Sequence, residues 1–221
     1  MSERHAGPAG ELAIEGLRFR YGRRGQELFE GLEHTFTPAR VTAITGQSGR
    51  GKSTLLYVLG LMLSPSQGAV LIGSTRASDL PDRARSRLRA DRIGFVFQDS
   101  ELDPSRPILA SVIEPGLYAG HSHAELAARA RDLLSHFGLA ERADHRPGQV
   151  SGGQAQRVAV CRALINTPSI VLADEPTGNL DPDNARLVID ALVDASRQGR
   201  TVVIATHDPT VVARADEVVA L

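Results

Sequence analysis

Val41-Thr42-Ala43-Ile44-Thr45 runs directly into Gly46-Gln47-Ser48-Gly49-Arg50-Gly51-Lys52-Ser53, and Thr54-Leu55-Leu56-Tyr57-Val58-Leu59 follows. The opening apolar run reads as a buried strand and the closing one, from Ser53, as a helix. Between them lies G-x-x-x-x-G-K-[ST] in the strand–loop–helix context that this motif needs. Glycines at 46, 49 and 51 allow positive φ, so successive backbone N–H groups can converge on an anion while the helix presents its positive end. Lys52 adds a full charge at the β and γ phosphates of a nucleotide, and the Ser53 hydroxyl is placed to ligate Mg2+. Lys52 is the only lysine in the chain, against 24 arginines. A protein that uses arginine wherever charge alone suffices has a chemical reason for a lysine in this loop.

A second stretch, Ser169-Ile170-Val171-Leu172-Ala173-Asp174-Glu175-Pro176, describes a buried parallel strand with two carboxylates at its C-terminal end, where ligands bind in open α/β sheets. Successive side chains on a strand point in opposite directions, so the two acids have different jobs. Asp174 is suited to the Mg2+ shell and Glu175 to polarising an attacking water as general base. A third stretch, Ser151-Gly152-Gly153-Gln154, opens the helical run 155–160, with Ser151 as its N-cap and an anion site at the helix terminus. Taken singly, an acidic pair after a strand, or Ser-Gly-Gly-Gln before a helix, is an ordinary junction. Together with the glycine loop they form two phosphate-binding devices that do not easily serve one nucleotide within one subunit. The pair points to a site that closes only in a dimer.

In this order the motifs resemble those of the nucleotide-binding subunit of ATP-binding cassette (ABC) transporters, over nearly the whole chain. Tyr21, ending Leu17-Arg18-Phe19-Arg20-Tyr21, matches the aromatic residue on which adenine stacks in that family. Gln98, ending Ile93-Gly94-Phe95-Val96-Phe97-Gln98, matches the glutamine that reaches Mg2+ and the attacking water. Val150-Ser151-Gly152-Gly153-Gln154 is similar to the family signature, which usually begins with Leu. Asn179-Leu180-Asp181 looks like the loop that communicates between two sites across a dimer, and His207 matches the histidine that contacts the γ-phosphate. Alone, each such Tyr, Gln or His is more often structural than functional, and the joint order carries the reading.

The resemblance implies an α/β fold. It consists of a P-loop NTPase core with a parallel sheet, an N-terminal antiparallel β subdomain and an inserted helical subdomain that docks on a membrane partner. The whole chain, 1–221, is one domain, with about 11–97 and 155–221 as the core and about 98–154 as the helical part. ATP is held by Tyr21, by Gly46, Gln47, Ser48, Gly49, Arg50, Gly51, Lys52, Ser53 and Thr54, and by Ser151, Gly152, Gly153 and Gln154. Mg2+ is held by Ser53, Gln98 and Asp174, and Glu175, His207 and Gln98 are catalytic. The implied partners are a transmembrane permease subunit and, on ATP binding, a second copy of the chain, with the protein peripheral on the cytoplasmic face of the cell membrane. The stretch 174–181, Asp-Glu-Pro-Thr-Gly-Asn-Leu-Asp, looks most like the branch of lipoprotein-releasing, macrolide and antimicrobial-peptide export ATPases. The alternative within that branch is a cell-division ATPase that signals through a membrane partner to a cell-wall enzyme.

Composition sets limits on these readings. At 221 residues the chain suffices for one α/β domain with a sizeable core. The single cysteine, Cys161, excludes an internal disulfide and reads as a small buried hydrophobe. No apolar stretch reaches about 18 residues and no signal peptide opens the chain, so any pore is expected on another polypeptide. With the sequence stopping at Leu221, soon after the last expected strand, no C-terminal regulatory domain is expected. A net charge of −1 gives no footprint for nucleic acid. Residues 1–10 read as a loose lead-in, 12–21 and 69–72 as β structure, and 124–137 as a helix. The arginines at 83, 85, 87, 89 and 92, interleaved with Asp82 and Asp91, read first as a solvated helix face, the alternative being contact with the partner or lipid headgroups. His121 and His123 flank a serine in an expected loop, with no ligand cluster for a metal.

Overall fold

The computed structural model describes residues 11–22 and 25–221; the expected lead-in at 1–10 lies outside them. Two sheets organise the chain. Strands β1 (Leu12–Arg20), β2 (Glu27–Phe36), β4 (Gln67–Ile72) and β5 (Thr75–Arg76) form an antiparallel sheet in the order β2-β1-β4-β5. Strands β3 (Val41–Thr45), β6 (Ile93–Val96), β7 (Ile170–Asp174), β8 (Thr201–Ala205) and β9 (Glu217–Ala220) form a second sheet in the order β6-β7-β8-β3-β9, and every pair in it is parallel.

The central strands β7, β8 and β3 of the parallel sheet are buried on both faces, as their continuous apolar sequences require. Ile170 and Leu172 of β7, Val203 and Ala205 of β8 and Ile44 of β3 pack with α1 (Lys52–Leu59) and with Leu12, Ile14, Leu17 and Phe36 of the antiparallel sheet. The alternate residues Val171, Ala173, Val202 and Ile204 pack into a second core. That core is covered by α3 (Ile108–Tyr118), α4 (His123–His136), α5 (Gly152–Leu164) and α6 (Pro182–Arg197). In α6 the buried residues Val188, Ile189, Leu192, Ala195 and Ser196 recur at helical spacing, and Asp181 caps the helix by accepting from the Asn184 N–H at 2.9 Å.

Several details differ from the sequence reading, among them the edge strand β9, which it did not contain. His123 does not sit in a loop but opens α4, because Ser122 is the N-cap: its Oγ accepts from Glu125 N at 3.3 Å and donates to the Glu125 carboxylate at 2.6 Å. The strand β2 has no counterpart in the sequence reading, since Phe29 (φ 62°) and Gly31 (φ 85°) interrupt its period. The arginine run forms α2 (Asp82–Arg92), where Arg83, Arg87 and Arg92 are exposed as expected, but Arg85 and Arg89 are half-buried, Arg85 bonding the Ser64 hydroxyl and Arg89 the Leu61 carbonyl at 2.7 Å. Cys161 is fully buried on α5, and burial pushes its thiol well above the ordinary range.

Candidate nucleotide site

Parallel strands deliver their C-terminal ends to one edge of the sheet, and four of those ends carry the motifs. Beyond β3 the chain forms the loop 46–51, with φ of 148° at Gly46, 83° at Gly49 and 97° at Gly51. A Cβ at Gly51 would stand 3.1 Å from both the Leu28 side chain and the Phe29 ring, and one at Gly46 would stand 2.9 Å from the Leu221 carbonyl. Both the backbone conformation and the packing therefore demand glycine. The helix α1 that follows has no side-chain cap and no acidic residue in its first turn, so its N-terminal N–H groups and positive dipole end are left for an anion.

Lys52 Nζ donates to the Gly46 carbonyl at 3.0 Å and thus lies folded over the loop. Ser53 Oγ donates to Asp174 Oδ1 at 3.0 Å. That contact follows from the pleat, because Asp174 continues the series Ile170, Leu172 on the α1 side of the sheet. Burial raises the Asp174 carboxyl above its ordinary range; the Ser53 hydrogen bond opposes the shift, and the Glu175 charge adds to it. Glu175 sits just beyond the strand at φ 40°. Its N–H bonds the Ala205 carbonyl at the end of β8 (2.9 Å). Its carboxylate lies 2.8 Å from His207 Nδ1 and accepts from Thr206 Oγ1 and from the His207 backbone N–H, each at 3.3 Å.

Lys52, Ser53, Glu175 and His207 face a common cleft of about 840 Å3, also lined by Tyr21 and Gln98, a size suited to a nucleotide; Asp174, 3% exposed, lies behind Ser53 and does not line it. Gly46, Gln47, Ser48, Gly49, Gly51 and Thr54 also line it. Arg50 does not; it borders a separate recess of about 430 Å3 with residues 26–32 and Leu221. Tyr21 is 55% exposed at the mouth. Its hydroxyl lies 2.9 Å from Thr54 Oγ1 and its ring meets the edge of Phe19 at 4.8 Å. Sequence reasoning missed Tyr57, which hydrogen-bonds Asp174 and whose hydroxyl burial pushes up, and Thr206. Their involvement depends on which strand ends are neighbours, and no local pattern encodes that.

The signature residues do not reach this cleft. Ser151 Oγ accepts from Gln154 N (3.2 Å) and Gln154 Oε1 accepts from Ser151 N (3.0 Å), a reciprocal cap on α5. Ser151 and Gly152 are exposed, while Gly153 is buried against Asn184, 2.4 Å from where its Cβ would be. Gly152 instead lines a recess of about 200 Å3 with Gln98, Asp99, Asn179 and Leu180, across which Asn179 Nδ2 donates to Asp99 Oδ1 at 3.3 Å. Within one subunit the glycine loop and Ser151–Gln154 therefore line different spaces.

The family model described as ABC transporter matches residues 29–178. The chain belongs to the ABC transporter family, and it is an ATPase of that family. It is 45% identical over 204 residues to the lipoprotein-releasing system ATP-binding protein LolD 1 of Rhodospirillum rubrum, covering 92% of this chain and 90% of that one. It is 42% identical over 212 residues to the macrolide export ATP-binding/permease protein MacB of Rhodopseudomonas palustris, covering 95% of this chain but 32% of that longer protein. Among solved structures, it is similar to the dimeric post-hydrolysis state of the ATP-binding cassette MJ0796 bound to ADP and Pi, with a TM-score of 0.87 and 33% identity over 95% of this chain and 94% of that one.

Elsewhere on this ABC ATPase, a groove of about 810 Å3 opens between α2 and α3, lined by Phe95, Phe97, Tyr118, Arg83, Arg87 and Arg162 among others. Tyr118 is 78% and Leu117 45% exposed beside it. Among the described residues no helix is long and apolar enough to cross a membrane, and no group of three or more His, Cys, Asp or Glu forms a metal cluster. The oxygen pair Ser53–Asp174, with Gln98 in the same cleft, fits Mg2+, which takes one or two protein oxygens and fills its remaining positions with phosphate and water.

Proposed function

We propose that this ABC ATPase is the energy-supplying subunit of a membrane complex of the lipoprotein-releasing or macrolide-export type. It works as a nucleotide-closed homodimer, peripheral on the cytoplasmic face and bound to a separate permease. The observation that carries the reading is the separation of Ser151–Gln154 from a cleft that is already lined by Lys52, Ser53, Glu175 and His207, with Asp174 bonded to Ser53 behind it. The signature can complete a nucleotide site only on a second subunit, and the dimeric MJ0796 cassettes support that arrangement. The LolD relatives support a lipoprotein-releasing role over the cell-division alternative. An exposed aromatic groove rimmed by arginines supports docking of the permease beside α2 and α3. In this reading residues of about 98–154 form the helical unit that faces the permease.

Each residue then has a defined task. Tyr21 offers its exposed ring to adenine, and the N–H groups of the loop 46–51 with Lys52 hold the phosphates. Ser53, Asp174 and Gln98 hold Mg2+, which when bound neutralises phosphate charge. Glu175 accepts the proton of the attacking water, and His207, 2.8 Å away, keeps that carboxylate oriented and turns to the γ-phosphate when the site fills. Glu175→Gln preserves size and hydrogen-bonding reach but removes the basic charge. Its turnover of Mg-ATP should drop by about 10² to 10⁴ while nucleotide affinity is retained. A wild-type rate in this variant removes Glu175 as the base.

A further inference from the structure

Arg162 belongs to none of the motifs above, yet it holds the segment on which Gln98 sits. Its Nη1 donates to the Glu101 carbonyl at 2.6 Å and its Nη2 to the Ser100 carbonyl at 2.7 Å. Its guanidinium carbon stands 5.9 Å from the centre of the Phe97 ring. Ser100 (φ 57°) and Glu101 (φ 49°) are both in the left-handed region that non-glycine residues avoid, so this shape persists only where the surroundings enforce it. No carboxylate forms a salt bridge with Arg162 among the described residues. The loop carbonyls are its hydrogen-bond partners there, and it is theirs. From the same helix, Gln156, 3% exposed, donates Nε2 to the Phe97 carbonyl at 3.0 Å. Helix α5 thus grips residues 97–101 on both sides of Gln98, and α5 is also the helix that opens with the signature.

We propose that Arg162 and Gln156 are positioning residues for ATP hydrolysis. They fix the Gln98 segment to the signature helix, so that Gln98 faces its own nucleotide only in step with the signature that the helix presents to the partner subunit. The inference rests on the reading of Gln98 as a group that reaches Mg2+ and the attacking water. A guanidinium can hold two carbonyls at once, whereas an ammonium on a shorter, flexible stem does not reproduce that fork.

The test is a double-mutant cycle on the purified full-length protein, with kcat, KM for Mg-ATP and the melting curve of each variant. Arg162→Lys should lower kcat by about tenfold, the scale of one lost charge-assisted hydrogen bond, with KM changed by less than about twofold because Arg162 lies outside the cleft. Placed in a Gln98→Ala background, the same substitution should change kcat by less than about twofold, since the group it positions is gone. A tenfold loss in both backgrounds, or a wild-type kcat for Arg162→Lys, overturns the proposal and leaves the role of Gln98 standing. A wild-type kcat for Gln98→Ala alone removes the underlying reading and the proposal with it. Gln156→Leu cuts the other bond and runs through the same cycle with the same expectation. It guards against a folding defect in Arg162→Lys.

Discussion

Asp174 shows how a single residue binds fold and chemistry together. The alternation of β7 aims it at Ser53, and its near-complete burial (3% exposed) makes its charge costly until a cation arrives. Because burial, assisted by Glu175 and opposed by Ser53, raises its carboxyl in the folded state, the folded protein holds this proton more tightly than the unfolded chain does. Its charge therefore destabilises the nucleotide-free protein at neutral pH, and the cost fades as pH falls through the raised folded-state value and is gone below the unfolded carboxylate value of 3.8. Asp174→Asn should raise the melting temperature of the nucleotide-free protein at neutral pH by a few degrees, on the scale of about 2–4 °C per kcal/mol. The gain should vanish in acid, and ATPase activity should be lost with the Mg2+ ligand. A melting temperature at or below wild type at neutral pH contradicts this account. The residue types of Lys52, Ser53, Asp174 and Glu175 were legible because phosphate, Mg2+ and water each demand them at fixed spacing. The pairing of Glu175 with His207 was not, because it arises only when β7 and β8 become neighbours and present Asp174 beside Ala205.

Among elements, the parallel strands β3, β6, β7 and β8 were legible as apolar runs and α5 as a Ser-capped helix, whereas the edge strand β9, four residues with alternate ones exposed, was not read. The strand β2 was hidden because left-handed residues at Phe29 and Gly31, together with bulges against β1, destroy the two-residue period that marks a strand. Those irregularities bring Leu28 and Phe29 against Gly51, so the least legible strand helps shape the phosphate loop. The cap on α5 has a separable stability role. Ser151→Ala removes the side-chain acceptor for Gln154 N and should cost about 1 kcal/mol. In the melting curve that is a fall of about 2–4 °C. Because Ser151 lies outside the nucleotide cleft of its own subunit, ATP affinity measured on the monomer should not change. A several-fold loss of monomer affinity would place Ser151 in the site of its own chain.

At the scale of the whole molecule, the glycine loop and the signature on one chain face different spaces, and the proposed head-to-tail pair unites them. In the proposed pair, ATP is the adhesive between subunits, with Gly46–Ser53 of one copy and Ser151–Gln154 of the other on opposite sides of the same phosphates. Removing the negative charge of Glu175 near the γ-phosphate favours that closed form while hydrolysis no longer dissolves it. The decisive measurement is the light-scattering mass of Glu175→Gln eluting from a size-exclusion column in saturating ATP and Mg2+. The account predicts twice the 23.6 kDa of one chain, reverting to a single chain when Ser151→Arg is added. A single-chain mass for Glu175→Gln, with nucleotide shown to be bound, would contradict it.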